Sequence, residues 1–284
     1  MIKNQIKTFV LLSVLTALLL FAGRFLAGTT GLIFAGIFVV LLNFVTYFYS
    51  GKIVLFMYRA KEVKAKDYPE LFKIVKEVAT IAEIPMPKVY IIPTTSPNAF
   101  ATGRNPKHAV VACTDGILKM LSKDELKGVI AHEISHIKNR DILIQTIAAT
   151  IAGIISYLAA MARWGAIFGG FGGNNDRDGG NILSLLVLAI ITPIIALLIQ
   201  LAISRSREYL ADESAAKILK NPVGLSSALQ KLEAGIKNDP LRFGNPSTSS
   251  LFISNPFRSS GFLNMLSTHP STQERVKRLD AMRF

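Results

Sequence analysis

Four stretches free of charged residues constrain this chain more than any other feature. They are residues 8–23, between Lys7 and Arg24; 25–51, between Arg24 and Lys52; 142–162, between Asp141 and Arg163; and 179–204, between Asp178 and Arg205. A helix needs about 20 apolar residues to cross the hydrocarbon core of a bilayer. The last three stretches meet that length. The first is shorter, but Lys7 and Arg24 at its ends can extend their side chains to the two interfaces. A basic start before an apolar run also describes a cleaved leader. No small-x-small cleavage site separates the first stretch from the second, so the two are expected to remain as a helical hairpin over residues 1–55.

The basic residues orient these segments. The N-terminal tip carries 2 Lys or Arg, the segment 52–141 carries 15 and the tail from 205 onward carries 12, against only Arg24, Arg163 and Arg177 on the opposite side. Lys52, Arg59, Lys61, Lys64, Lys66, Lys138, Arg140, Arg205 and Arg207 all lie near membrane ends. The positive-inside rule then predicts a multi-pass protein of the inner membrane with both termini in the cytoplasm. The net charge of +13 suits contact with membrane lipids bearing anionic headgroups and calls for no nucleic acid. Cys113 is the single cysteine. It sits in an apolar run, Ala109–Cys113, and reads as a core thiol in a reducing compartment.

Between the second and third stretches the pattern changes. Asp67-Tyr68-Pro69-Glu70 predicts a helix start with Asp67 as the cap, and apolar residues at Leu71, Ile74, Val75, Val78 and Ala82 keep helical spacing. Three short strands are expected at Val89–Ile92, Asn98–Thr102 and Ala109–Cys113, enough for a small sheet. Ser122 with Glu125 fits a capping box, and Leu121 with Leu126 fits the hydrophobic staple. No Gly or Pro interrupts residues 129–152, so the helix that starts at Ser122 is expected to run on into the third apolar stretch. Asn238–Ser260, rich in Ser, Asn, Pro and Gly, reads as a long mobile loop. Ser271 begins a final capped helix. Gln145 and Gln200 are expected to bond across a hairpin formed by the third and fourth stretches.

That first capped helix carries His132-Glu133-Ile134-Ser135-His136, an H-E-x-x-H pattern. Positions i and i+4 share one helix face, so both imidazoles can converge on one ion, and Glu133 can reach a water bound to it. Two neutral nitrogens plus an adjacent carboxylate base is the donor set of a hydrolytic zinc site, which needs one further protein ligand. If the third and fourth stretches form an antiparallel hairpin, Glu208 returns to the membrane face on which His136 lies. Asp212, one turn further, can accept a hydrogen bond from a ligand imidazole. On spacing alone, Glu208 and Asp212 are equally well read as a solvated charged turn pairing with Arg205 and Arg207.

With the H-E-x-x-H motif followed by Ser204-Arg205-Ser206-Arg207-Glu208-Tyr209-Leu210-Ala211-Asp212, the chain resembles the HtpX-type membrane metalloproteases, relatives of the CAAX prenyl proteases. The N-terminal hairpin, Asn98–Gly103 and Ser267–Pro270 extend the resemblance along the chain. It implies a mostly α integral membrane protein with about four transmembrane helices and a cytoplasmic α+β, zincin-like protease domain containing a small sheet. The expected division is a hairpin at 1–55 and a metalloprotease domain at 56–284, with a membrane hairpin embedded at about 142–204. The resemblance further implies one zinc ion per chain on His132, His136 and Glu208, Glu133 as the base, and misfolded or damaged membrane proteins as substrates. A late histidine, His269, is the candidate donor to the oxyanion. The strand around Asn98 and Phe100 is the candidate edge for pairing with substrate, although Phe100 is equally suited to the core. Homo-oligomers are left open. Two other classes compete: a scaffold or chaperone in which the motif is accidental, and a transporter, which the scarcity of intramembrane charges disfavours.

Overall fold

The structure is a computed structural model that describes residues 2–148, 150–151, 205–257 and 270–284. Its first element, α1 (Ile2–Met57), is one helical run that reverses direction. Gly28 has φ +60°, in the left-handed region that glycine enters without a Cβ penalty. Asn43 Nδ2 donates to Thr16 Oγ1 at 3.2 Å. In a straight helix those residues would stand about 40 Å apart. Near the turn, a Cβ on Gly23 would meet the Ala35 Cβ at 2.5 Å, so the two arms touch through small residues.

Of the described helices, only Gly28–Met57 is long and apolar enough to cross a bilayer. Its outward side chains are large and apolar: Phe34, Ile37, Val40 and Phe44 are 69%, 64%, 71% and 53% exposed. The third apolar stretch is described as far as residue 151, where Ile144, Ile147 and Ile151 pack with Leu12, Leu19 and Leu42 from both arms of α1. The rest of that stretch, the fourth stretch and Gln200 lie outside the described residues.

The remainder builds a small sheet with helices against one face. Its strands are β1 (Lys61–Glu62), β2 (Lys88–Ile92), β3 (Ala99–Thr102) and β4 (Val110–Thr114), in the order β1-β2-β4-β3. Parallel β2 and β4 form the centre, and the two outer pairings are antiparallel. All five residues of β4 are buried, as expected for a strand covered on both faces. Cys113 lies within it, fully buried, and burial pushes its thiol pKa up. The three predicted strands fall within one residue of those observed; β1, only two residues long, was not expected.

The helices are α2 (Pro69–Ile81), α3 (Asp115–Met120), α4 (Lys123–Lys138), α5 (Arg205–Leu219), α6 (Val223–Asn238) and α7 (Thr272–Asp280). The α2 cap differs from expectation. Tyr68, not Asp67, occupies the N-cap, and no side chain caps it, because Pro69 already removes one of the N–H groups that would need a partner. The α4 capping box is complete: Ser122 N donates to Glu125 Oε2 at 2.8 Å, and Glu125 N to Ser122 Oγ at 3.4 Å. Leu121 and Leu126 are both buried beside it.

Helix α4 runs through the core, packed by α2, α5, α6 and β3. Val129, Ile130, Ile134 and Ile137 are fully buried there, each worth about 1.5–3 kcal/mol against exposure. Gly128 lets α6 approach so closely that a Cβ would sit 2.6 Å from the Leu225 backbone nitrogen.

Two expectations fail in instructive ways. First, α4 does not continue into the third apolar stretch. It stops at Lys138, and Arg140 takes φ +59°. Arg140 N donates to Ile137 O and Asp141 N to His136 O, a Schellman closure, and a new helical run begins at residue 142. Second, the segment after α6 is no loose loop as far as residue 257. Leu241, Leu251 and Phe252 are buried with Tyr58 and Phe100, and the Phe252 ring stands edge-on to Tyr58 at 4.8 Å and to Phe100 at 5.1 Å. These few aromatic residues bury enough area to order a chain whose other residues are small and polar.

Candidate metal centre

The two histidines project from the same face of α4, their ring planes nearly perpendicular and centroids 4.7 Å apart. Helix α5 crosses α4 and brings Glu208 to them. Glu208 Oε2 lies 3.7 Å from His132 Nε2, Glu208 Oε1 lies 3.5 Å from His136 Nε2, and the two Nε2 atoms are 3.2 Å apart. Among the described residues, this is the one cluster of side chains with donors placed to share a metal ion. All three are buried, so the reading of Glu208 as part of a solvated turn is ruled out.

The orientation of both imidazoles is imposed from behind. His132 Nδ1–H donates to Asp212 Oδ1 at 2.9 Å, and His136 Nδ1–H donates to Asp141 Oδ2 at 3.2 Å. Each ring therefore turns its Nε2 lone pair inward. Two lone pairs facing each other at 3.2 Å repel unless something positive lies between them. Burial opposes the charge on His136, but Glu208, Asp141 and Glu133 outweigh burial and lift its pKa to about 9. Burial keeps His132 below its ordinary value.

A zinc ion fits the same place. Tetrahedral bonds of about 2.0–2.1 Å set ligand atoms about 3.3–3.4 Å apart, which the three separations bracket.

Asp212 is itself anchored. Burial pushes its carboxyl pKa up, but Arg275 reverses the shift and holds it low. Arg275, from α7, donates through Nε to Asp212 Oδ2 at 2.8 Å, through Nη2 to Asp212 Oδ1 at 2.7 Å, and through Nη1 to Ile253 O at 2.8 Å. Arg207, on α5 beside Glu208, is also buried; desolvation lowers its pKa against the attraction of Asp141 and Glu208.

Glu133 points toward β3. A backbone hydrogen bond from Ala101 reaches its carboxylate, while Oε1 has no partner among the described residues. Burial raises its pKa to about 7.

The other predicted site residues fare differently. Asn98 Nδ2 donates to Ser254 O at 2.7 Å and its Oδ1 accepts from Ala99 N at 3.0 Å, so both ends of that amide are committed. Phe100 is wholly buried and belongs to the core. β3 is an edge strand, but Ile253 N already donates to Ala99 O. The Phe100 side chain thus takes the core reading and the Asn98 side chain is held within the chain, while pairing of the strand edge with a substrate backbone remains an expectation. His269 lies outside the described residues. Asp141 and Arg275 were missed. Asp141 was hidden by the expectation of a continuous helix, and Arg275 by a separation of 63 residues from Asp212.

The sequence profile of Peptidase family M48 matches residues 65–283. The chain belongs to peptidase family M48. Its relatives cover nearly its full length. It is 49% identical over 280 residues to the protein named Protease HtpX homolog of Syntrophobacter fumaroxidans, across 98% of this chain and 99% of the relative. It is 53% identical to that of Pyrococcus furiosus, across 96% and 94% respectively. Among solved structures, Ste24p of S. mikatae superposes with a TM-score of 0.53 at 22% identity, covering 98% of this chain and 65% of that one. That likeness is one of fold. In an M48 metalloprotease the His-His-Glu cluster is the natural metal centre, and its aspartates should tune affinity. Asp141→Ala is expected to weaken zinc binding about 10- to 100-fold, read by competition with a chromophoric chelator; an unchanged affinity would strip Asp141 of this role.

Proposed function

We propose that the chain is a membrane-integrated zinc endopeptidase that holds one ion per chain and cleaves misfolded or damaged membrane proteins at a cytoplasm-facing site. The observation that carries this reading is the convergence of two imidazole lone pairs and one carboxylate at tetrahedral spacing, with Glu133 buried alongside. Bound there, zinc supplies Lewis acidity, which polarises a peptide carbonyl and acidifies water.

The chain's own groups do the rest. Glu133 Oε1 accepts a proton from the attacking water and returns it to the leaving amine nitrogen, while the Ala101 hydrogen bond holds the carboxylate in place. A carboxyl poised at about 7 can take and release that proton near neutral pH. Asp212 and Asp141 keep protons on both Nδ1 atoms, so the ligand nitrogens stay free for metal. Glu208 would be the one anionic ligand, so a divalent ion held there would keep a net positive charge.

The apolar surface of α1 supports membrane integration, and exposed Lys52, Arg59 and Lys61 at its end support a cytoplasmic site. Only residues 137–141 separate His136 from the helical run packed on α1, so the centre lies close to that apolar surface. Such proximity favours membrane-protein substrates.

Metal analysis of the purified full chain tests the reading. About one zinc per chain is expected. A chelator should abolish cleavage of an unfolded polypeptide and lower the melting temperature, and added zinc should restore both, with about 2.7 kcal/mol of stabilisation at 100 times Kd. A folded chain with no affinity for zinc would end the proposal.

A further inference from the structure

Each ligand imidazole is backed by an aspartate, and each aspartate has a buried arginine near it. On the His132 side the arrangement is closed: Arg275 commits Nε and Nη2 to Asp212 and Nη1 to the Ile253 carbonyl. On the His136 side it is open. Arg207 is 6% exposed and lies near Asp141 and Glu208, yet its Nε, Nη1 and Nη2 make no hydrogen bond among the described residues.

Nearly all buried polar groups in folded proteins have partners, and an unpartnered buried cation is costlier still. Asp141 and Glu208 attract its charge, but neither accepts a hydrogen bond from it, and Asp141 already accepts from His136. A guanidinium presents a planar fork that matches a carboxylate through two parallel hydrogen bonds. A neutral peptide carbonyl would occupy only part of that fork.

We infer that Arg207 is the contact for a carboxylate of the bound polypeptide, an Asp or Glu side chain or the chain's own C-terminal carboxylate, seated beside the metal centre. The inference rests on the peptidase reading above and adds a selectivity to it. An acidic group at a fixed distance from the scissile bond strengthens binding.

The test uses the full-length, zinc-loaded Glu133→Gln chain in detergent, so that bound peptide survives. Fluorescent peptides share one neutral parent sequence. In one set a single Glu is moved through each position; in the other the C-terminus is free or amidated. With Arg207 present, the best carboxylate peptide is expected to bind about 10- to 100-fold more tightly than its neutral counterpart, and the set that shows the difference identifies the source of the carboxylate. Arg207→Gln should erase the preference while retaining zinc. Arg207→Lys, which keeps the charge and loses the fork, should retain only part of it. This second variant decides the matter if the first does not fold, because an undiminished preference in Arg207→Lys overturns the inference. So does a preference that persists in Arg207→Gln, equal binding of all peptides, or loss of zinc in Arg207→Gln, which would make Arg207 a support for Asp141 instead. If the zinc-loaded parent binds no peptide at all, the peptidase reading fails first and the inference falls with it.

Discussion

Glu133→Gln keeps its zinc and loses cleavage by about 10²- to 10⁴-fold, the usual contribution of a positioned general base. The substitution is isosteric. Glu133 is not among the three side chains whose donors converge, so metal content should not change. Gln can still accept the Ala101 hydrogen bond through its carbonyl oxygen, so the side chain should stay in place. What it lacks is the ability to take a proton from water. Stability offers a second readout with a definite sign. The Glu133 pKa is raised in the folded chain to about 7, so ionising it at higher pH opposes folding, and the cost grows as pH rises above its unfolded value. A neutral Gln removes that cost. The metal-free variant should therefore melt no lower than the metal-free parent at pH 8. Activity within tenfold of the parent would remove Glu133 from the mechanism.

Arg275→Ala has the largest expected effect on stability. The guanidinium is buried and makes two hydrogen bonds to the Asp212 carboxylate and a third to the Ile253 carbonyl. Its removal leaves a buried, unpaired carboxylate and an unsatisfied carbonyl. Breaking a buried pair on one side typically costs about 3–5 kcal/mol. The damage spreads, because this one side chain ties α7 to α5, to the segment at Ile253 and, through Asp212, to a metal-binding imidazole. Both a lower melting temperature and weaker zinc binding are expected. The double variant Arg275→Ala/Asp212→Ala should recover part of the lost stability, since it no longer buries a lone charge. A single variant as stable as the parent would show that Asp212 is solvated or paired elsewhere.

The sequence carried the H-E-x-x-H half of this centre and little of its support. His132, Glu133 and His136 are legible because helical periodicity alone places them together. Glu208 and Asp212 are legible once the chain is taken to turn back, and the i,i+4 rule then puts both on one face. The strands show because β-branched and apolar runs lie between Pro and Gly. Hidden features depend on backbone states without a residue signature. The end of α4 is one example. A left-handed C′ position favours Gly or Asn, yet here it is Arg140, and Arg59, Glu83 and Lys220 adopt the same conformation. With no glycine to mark it, the break and the aspartate it delivers to His136 pass unnoticed. Arg275 and the packing of Phe252 are long-range, set by tertiary contacts that local pattern does not encode.

The hydrogen bonding around β3 has a bearing on how such molecules coexist at high density. Ala99 N–H is taken by the Asn98 side chain, Ala99 O by Ile253, and Ala101 N–H by Glu133. At the other border, β1 offers two residues, Lys61 and Glu62, both charged. Unsatisfied sheet borders are where neighbouring copies zip together into aggregates. In this molecule three groups on one border are already taken and the other border is short and charged, so among the described residues both are poor templates for pairing between copies.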